Sequence, residues 1–302
     1  MKDAESVTLL GVKGGPAIYP GSAMPTSILI RMAGLAVLVD TGLGATAALC
    51  RAGLRLTEID AIFITHLHSD HYLELGPLLH TAWCAGLKRA VPVYGPSGLE
   101  PCWQHFRASM AYDIATRMED EGRPDFAGMA ALHLLDETLS LDLGGLKVRA
   151  MQNHHPPVTE SHALRFESAQ HSVVISGDTA PMAEMERFAK GADLLVHEAM
   201  LSRNVRALCD HMGYPDDRLE RHILRSHTEA REAGAIATRA GVKALALTHF
   251  VPSGQFGADA ATWRAEAQAT FAGPLHIGED GMEIPLGEGG WAKPLPSTPA
   301  KG

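Results

Sequence analysis

Short apolar runs that end in glycine or polar residues recur along most of this chain. Runs of this kind, bounded by turn residues, are typical of buried strands. On this basis we expect strands at residues 7–11, 27–30, 35–39, 62–65, 91–94, 132–135, 139–143, 146–151, 162–166, 172–175, 193–196, 243–247, 275–277 and 282–284. The three segments between residues 132 and 151 predict a meander, with Gly144-Gly145 as a hairpin turn.

Apolar residues at three- and four-residue spacing predict helices between these strands. The expected helices are 72–84, 97–119, 229–241 and 259–270, and Thr228 is the predicted N-cap of the third. In the second helix an apolar stripe from Trp103 to Met118 is typical of core packing. A lid over a functional site or a dimer contact, formed by residues 97–128, is the alternative.

The strands come in runs with helices outside them, which predicts two sheets packed face to face with helices on both outer faces. The chain also shows a coarse duplication, since each half contains several strands followed by helices. We therefore expect an α/β protein built as an αββα four-layer sandwich of two mixed sheets. Residues 1–286 would form this single domain, and the Gly- and Pro-rich residues 287–302 a flexible tail.

Potential metal ligands follow the strand predicted at 62–65. His66, His68, Asp70 and His71 lie within six positions. His66 and His68 project to the same side of an extended segment, whereas Asp70 and His71 turn away and can face a second ion. Imidazole and carboxylate together suit Zn, Mn or Fe. A solvated loop is the alternative, but so dense a ligand set after a buried strand favours a metal site.

Other predicted strands end in residues of the same chemical types. These residues are Asp40, the pair His154 and His155, Asp178, Glu198 and His249, and His227 precedes the helix at 229–241. Each also has a structural explanation, such as a turn or helix cap for an aspartate, a core position for a histidine or a surface position for a glutamate. Because they share a position at strand ends, one joint functional site explains these residues better than a separate structural role for each.

The run from His66 to His71 matches the His-x-His-x-Asp-His signature of the metallo-β-lactamase superfamily, and the chain resembles that superfamily over about residues 7–285. The resemblance implies two divalent metal ions per chain, Zn with Mn or Fe as alternatives, bridged by a hydroxide. The implied ligands are His66, His68 and His154 for one ion, Asp70, His71 and His249 for the other, and Asp178 between them. His154 is preferred to His155 because its spacing to Pro157 resembles the ribonuclease Z branch. An aspartate at the position of Asp40 supports the metal ligands in that superfamily.

Three further segments, which begin at His197, Ser226 and Leu247, resemble ribonuclease Z and its arylsulfatase and phosphodiesterase-like relatives. In that branch the residues that correspond to Glu198 and His227 form a pair that assists the leaving group. These two residues and Asp70 are therefore the candidate catalytic residues. The bridging Asp178 that the resemblance implies disfavours a dedicated β-lactamase.

The chain also departs from ribonuclease Z. Gly-Leu-Gly-Ala follows Thr41, Val-Pro-Ser-Gly follows Phe250, and no basic arm rich in Gly and Pro is evident. We therefore expect a metal-dependent hydrolase of small esters, either phosphodiesters or sulfate esters. The alternatives are a lactone, carboxylic ester or amide hydrolase with weak β-lactam activity, a tRNA 3′-end endonuclease, and a non-catalytic metal-binding or redox protein.

Composition limits the choice of partners. The 302 residues carry a formal charge of −9, which argues mildly against a polyanionic partner such as tRNA unless a local basic patch exists. No apolar run reaches the length of a membrane span, and the four scattered cysteines are typical of reduced thiols in the cytoplasm. We expect a cytoplasmic homodimer that acts on a small-molecule ester, with no membrane contact and no nucleic-acid partner.

Overall fold

The computed structural model describes residues 4–213 and 215–287. Its strands are β1 (Ser6–Gly11), β2 (Ser27–Met32), β3 (Leu35–Val39), β4 (Ala61–Phe63), β5 (Val91–Gly95), β6 (Ala130–Leu134), β7 (Ser140–Asp142), β8 (Lys147–Gln152), β9 (His162–Glu167), β10 (Ser172–Ile175), β11 (Leu194–Met200), β12 (Ala244–Val251), β13 (Leu275–Ile277) and β14 (Met282–Pro285). From residue 288 onward, the predicted tail at 287–302 lies outside the described residues.

Ten helices are found in the described residues. They are α1 (Ala45–Arg51), α2 (Ser69–Tyr72), α3 (Leu75–Cys84), α4 (Leu99–Ser109), α5 (Ala111–Glu121), α6 (Ala183–Phe188), α7 (Ser202–Met212), α8 (Arg218–Ser226), α9 (Ala230–Ala240) and α10 (Ala260–Gln268). Short 3₁₀ turns cover Leu56–Glu58, Phe126–Met129 and Gly254–Phe256. Of these helices, none is both long and apolar enough to cross a membrane.

Two seven-stranded mixed sheets form the framework. The first has the order β14-β1-β2-β3-β4-β5-β6, and the second has the order β13-β12-β11-β10-β9-β8-β7. In each sheet antiparallel neighbours give way to parallel ones, which run from β3 to β6 in the first and from β10 to β13 in the second. The same arrangement in both sheets matches the duplication expected from the sequence.

Alternate residues of the central strands enter different cores. In β2, Ile28 and Ile30 join the core shared by the two sheets, whereas Leu29 joins the core between the first sheet and helices α1, α3 and α4. Successive side chains of a strand point to opposite faces, so both faces of this sheet are covered. Helix α9 packs on the second sheet against β11 and β12. The predicted αββα sandwich is therefore confirmed, and double coverage explains the unbroken apolar runs.

Three predicted elements differ from the structure. Strand β6 pairs with β5 in the first sheet, while β7 and β8 form a hairpin in the second, so the expected meander is wrong. Local apolar patterns do not say which sheet a strand joins. The helix expected at 97–119 is two helices that meet at Met110. The N-cap of α9 is Glu229 and not the predicted Thr228. The Thr228 hydroxyl donates to the Thr179 carbonyl at 2.6 Å instead.

The segment 97–128 packs much of its apolar stripe inward. Trp103 is 5% exposed, and its ring centroid lies 5.1 Å from that of Phe126. Phe106 lies so close to Gly76 of α3 that a Cβ there would approach its ring to 2.4 Å. Core packing accounts for these contacts. The lid or dimer-contact role of this segment and the domain boundary at residue 286 stay predictions.

Candidate metal centre

The candidate site lies where the carboxyl ends of strands from both sheets meet. Residues that follow β3, β4, β8 and β10 converge there with His249, which lies inside β12. Side chains that follow the carboxyl ends of parallel strands face a common crevice. His66 and His68 lie between β4 and α2, with His68 in an extended conformation, and α2 then carries Asp70 and His71 on a helical turn.

A first cluster contains three histidines and one aspartate: His66, His68, His155 and Asp178. The Nδ1 of His68 lies 3.1 Å from the Nε2 of His66 and 3.1 Å from the Nε2 of His155. The Oδ2 of Asp178 lies 3.8 Å from each of these Nε2 atoms. These donor atoms therefore surround one small volume.

A second cluster contains Asp70, His71 and His249. The Nε2 atoms of His71 and His249 are 3.3 Å apart, and the Oδ2 of Asp70 lies 3.5 and 3.4 Å from them. The Oδ2 of Asp178 also faces this cluster, at 3.3 Å from the His71 Nε2 and 3.1 Å from the His249 Nε2. Asp178 is thus the carboxylate that both clusters share.

The donor spacing fits two divalent ions. At the roughly 2.0–2.2 Å of Zn–N and Zn–O bonds, two ligand atoms on one ion lie about 3.0–3.6 Å apart. Most of the separations within the two clusters fall in or close to this interval. Imidazole and carboxylate donors suit Zn, Mn or Fe, so the residues fit a dinuclear site of any of these metals.

Several of the histidine ligands have one ring nitrogen that faces away from the cluster. The protein holds that nitrogen in place. The Nδ1 of His71 lies 2.7 Å from the Oδ2 of Asp40, and the Nδ1 of His155 lies 2.9 Å from the Ser226 carbonyl oxygen. Asp40 also accepts from the Thr65 backbone N–H at 2.8 Å. Such contacts fix the tautomer and the ring orientation of a metal ligand. Asp40 therefore supports His71, and Gly44 rather than Asp40 is the N-cap of α1.

Burial and neighbouring charges together set the protonation of these groups. It lowers the pKa of His66 well below its usual value and the pKa of His155 to about 4, so both imidazoles are neutral as ligands must be. Burial raises the pKa of Asp178, but His249 and His71 lower it further, and the carboxyl stays ionised. For His71, burial lowers the pKa, but Asp178 and Asp40 raise it well above the usual value. Metal binding at His71 must therefore displace a proton.

The structure corrects one predicted ligand, since His155 and not His154 joins the first cluster. His154 is exposed, and its backbone N–H donates to the Thr179 hydroxyl at 3.2 Å. In β8, Val148 and Ala150 are buried, and continued alternation would bury residue 154. The alternation shifts by one residue where the strand ends, so residue 155 faces the site. The other six predicted ligands lie in the two clusters.

Substitution of the two neighbouring histidines provides a matched pair. We expect His155→Ala to lose about one of two bound ions per chain, because the first cluster keeps only two imidazoles and the shared carboxylate. His154→Ala should keep both ions, because its side chain is exposed. Elemental analysis after metal saturation and gel filtration measures this. Equal metal content in the two variants would show that His155 is not a ligand.

Glu198 and His227 form a buried pair beside the clusters. The Nδ1 of His227 lies 3.1 Å from the Oε1 of Glu198, which also accepts from the backbone N–H groups of Thr179 and Thr228, each at 3.1 Å. Burial lowers the pKa of His227, but the Glu198 carboxylate raises it to about 9. A ring nitrogen of His227 lies within 4.8 Å of donor atoms of Asp178 and His249. The structure thus brings together the pair that the resemblance implied.

A glycine turn near the N-terminus touches the second cluster, although Gly14 and Gly15 were not among the predicted site residues. The Gly15 N–H donates to the Oδ2 of Asp70 at 2.8 Å. The Lys13 ammonium donates to the carbonyls of Gly14 and Gly15 at 2.8 and 3.0 Å and so holds the turn. A Cβ on Gly14 would lie 2.9 Å from the ring of His249, which leaves room only for glycine. The local signal was the run Lys-Gly-Gly-Pro.

Comparisons with known proteins agree with this geometry. The model of the metallo-β-lactamase superfamily matches residues 21–249. A protein named ribonuclease Z from Mycobacterium sp. (strain KMS) is 35% identical over 292 residues, which is 95% of this chain and 98% of that protein. A ribonuclease Z from Mycobacterium bovis is 34% identical over 277 residues, which is 91% of this chain and 95% of the relative.

Solved structures show the same fold. The metallo-β-lactamase fold protein YhfI from Bacillus subtilis superimposes with a TM-score of 0.69 at 24% identity, covering 94% of this chain and 100% of that one. The short form of human tRNase Z superimposes with a TM-score of 0.64 at 24% identity, covering 93% of this chain and 99% of that one. Both likenesses extend over nearly the whole chain.

Proposed function

We propose that this chain, which belongs to the metallo-β-lactamase superfamily and is a metal-dependent hydrolase, cleaves RNA phosphodiesters as a tRNA 3′-end endonuclease. The observation that carries the proposal is the similarity to proteins named ribonuclease Z over more than nine-tenths of the chain. The shared carboxylate of Asp178 and the adjacent pair of Glu198 and His227 supply groups that phosphodiester hydrolysis uses. The metal identity and a cytoplasmic location stay predictions.

The sequence-based prediction of a small-molecule ester substrate and no nucleic-acid partner is wrong. The relatives named ribonuclease Z and the tRNase Z neighbour overturn it. The prediction relied on the departures from ribonuclease Z, including the missing basic arm, and on the formal charge of −9, which sums the whole surface and does not locate any charge. Arg225, for example, is exposed in the last turn of α8, two residues from His227, and forms no ion pair within the described residues. Local cations of this kind, rather than the net charge, decide whether a phosphate backbone can approach.

The two clusters would hold the metal ions through the imidazoles of His66, His68, His155, His71 and His249 and the carboxylates of Asp70 and Asp178. When bound, divalent ions supply Lewis-acid polarisation of the phosphate and lower the pKa of a water nucleophile. The chain fixes these ligands on strand ends, and Asp40 and Ser226 hold the rings of His71 and His155. A rigid support of this kind lets the charges act without reorganisation during the reaction.

His227 holds the proton that the reaction needs at its leaving oxygen. Because the Glu198 carboxylate raises the pKa of His227 to about 9, the ring is protonated at neutral pH. Its Nδ1–H points to Glu198, which leaves the Nε2–H free to donate toward the crevice. A departing sugar alkoxide is strongly basic and gains from such a donor.

The test is cleavage of a precursor tRNA that carries a 3′ trailer. We expect the metal-loaded protein to release the trailer at one position and the chelator-treated protein to release none. Sequencing gels of end-labelled RNA measure the product and its position. An intact precursor, together with efficient hydrolysis of an aryl sulfate or a lactone by the same preparation, would overturn the proposed function.

A further inference from the structure

A cleft rich in basic side chains lies on the outer face of the second sheet. Its volume is about 440 Å³. Strands β8 and β9 form its floor, and helix α6 with the turn that follows it forms a wall. None of the seven metal ligands lines it. We call it the basic cleft, after the four cations among its described lining residues, Arg149, Arg165, Arg187 and Lys190.

Two of these cations lie directly opposite each other on neighbouring strands. Phe166 of β9 packs against Phe63 of the first sheet with ring centroids 5.6 Å apart, so the preceding residue, Arg165, points to the outer face. Arg149 of β8 is its cross-strand partner. Glu167 accepts from Arg165 at 3.0 Å and from Arg149 at 3.1 Å, and so offsets one of the two charges. Like charges in opposed positions destabilise a sheet, so the stability of the fold does not account for this arginine pair.

The basic cleft carries more positive charge than its carboxylates offset. Lys190 is exposed and forms no ion pair within the described residues. Arg187 pairs with Glu184, but the two side chains are 69% and 51% exposed, and ion pairs this exposed are weak. The four cations thus face two carboxylates, those of Glu184 and Glu167. The whole chain has 35 acidic and 26 basic residues, so this local surplus of cations opposes the overall balance.

We propose that the basic cleft is a second phosphate-binding site, for a ligand with at least two neighbouring phosphate groups. Two groups are needed because the cations lie both on the floor and on the wall. A guanidinium binds phosphate through paired N–H donors, and Arg149 uses only one of its five donors for Glu167. The side chains of Met151 and Phe188 supply an apolar surface for the remainder of the ligand. The volume lies within the roughly 300–1,000 Å³ of small-ligand sites.

Neighbouring phosphates have two sources, a free nucleotide or polyphosphate and the backbone of an RNA that is bound at the metal centre. Strand β8 leads from Arg149 to the metal ligand His155, six residues further on, which is at most about 20 Å at roughly 3.3 Å per residue. A strand with one phosphate per roughly 3.4 Å covers this distance with about six nucleotides. The second source rests on the proposed function, whereas the phosphate site itself does not.

Equilibrium dialysis of metal-loaded protein against radiolabelled pyrophosphate tests the site itself. We expect wild-type protein to bind one more pyrophosphate per chain than Arg149→Gln/Lys190→Gln, because the loss of charged hydrogen bonds should weaken this site by more than about tenfold. Any pyrophosphate on the metal ions is common to both proteins. Arg165 is left in place, because its guanidinium donates to the carbonyls of Phe188 and Lys190 at 2.9 and 3.2 Å and so holds the end of α6.

The matched control is Arg231→Gln/Lys88→Gln, which removes the same two charges from exposed positions outside the basic cleft. It should bind as many pyrophosphates as wild-type protein. Metal content and thermal unfolding of each variant show that the fold and the metal centre persist. Equal numbers of bound pyrophosphates in all three proteins, or the same loss in the control, would overturn the phosphate site.

A second measurement distinguishes the two sources. Mature tRNA is titrated at several salt concentrations, and each phosphate contact contributes roughly 0.7–0.9 to the slope of log K against log salt. If the RNA backbone occupies the basic cleft, Arg149→Gln/Lys190→Gln should weaken RNA binding and reduce this slope by one to two, and the control should not. Unchanged RNA binding beside the lost pyrophosphate would assign the cleft to a free ligand. A lost pyrophosphate in a protein that leaves precursor tRNA intact would support the phosphate site and reject the endonuclease.

Discussion

Asp178→Ala should lower both the metal content and the rate more than any other single substitution in this site. The Oδ2 of Asp178 lies 3.1–3.8 Å from ring nitrogens of both clusters, so one change removes a ligand from each ion. It also removes the anion between two cations, which then repel each other across a buried space. We expect fewer than two ions per chain after gel filtration and a fall in kcat/KM of more than about 10³-fold, which exceeds the typical cost of one lost transition-state donor.

The matched control for this substitution is Asp193→Ala. Asp193 is also a buried carboxylate, but it lies at the start of β11, where it accepts from the Ser172 backbone N–H at 2.7 Å and pairs with Lys243. Its loss should reduce stability and leave two ions and near-normal turnover. The sequence also allowed Asp178 to be a helix cap, but α6 begins at Ala183 with Met182 as its N-cap. Full metal content and near-normal turnover in Asp178→Ala would contradict the bridging role.

His227→Ala should slow RNA cleavage by about 10²–10⁴-fold, the usual contribution of a general acid. The reason is the basicity of the leaving alkoxide, which needs a proton as the P–O bond breaks. A nitrophenolate leaves without one, so cleavage of the p-nitrophenyl ester of thymidine 5′-phosphate should fall far less. The comparison of the two substrates, with metal content measured beside them, distinguishes proton donation from a general loss of structure.

Glu198→Gln is the matched partner of that variant. The amide oxygen can still accept the backbone N–H groups of Thr179 and Thr228, but the charge that raises the pKa of His227 is gone. We expect the same dependence on the leaving group. The double variant should be little slower than His227→Ala alone, because the two residues act as a unit. Equal losses on both substrates, or loss of an ion in His227→Ala, would assign His227 to substrate positioning or to metal binding instead.

The sequence determined the fold class and most of the candidate ligands. Apolar runs marked the buried strands, and the ligand types stood directly after them, at His66–His71, Asp178 and His249. Both are local properties, because alternation along a strand and the residue that follows it can be read from consecutive positions. The pair Glu198 and His227 was found from resemblance, since the two residues are 29 positions apart and no local rule joins them.

The choice between His154 and His155 required the structure. Strand alternation, continued from Val148 and Ala150, favours His154, and only the shift of one residue at the end of β8 turns His155 inward. A shift of one residue exchanges the two faces, so a small irregularity reverses the assignment. The apolar runs do not encode where a strand ends to within one residue.

Contacts between distant segments were also decided only by the tertiary structure. The bond from the Gly15 N–H to Asp70 spans 55 positions, and the rings of Tyr19 and Phe256 meet edge to face with centroids 6.3 Å apart. Helix α8 places Leu219 and Ile223 four residues apart on one face, a helical spacing that the sequence analysis did not assign to a helix. Sequence periodicity states which face of an element is apolar. Which other element covers that face, and hence what lines the site, depends on how the two sheets and their helices pack.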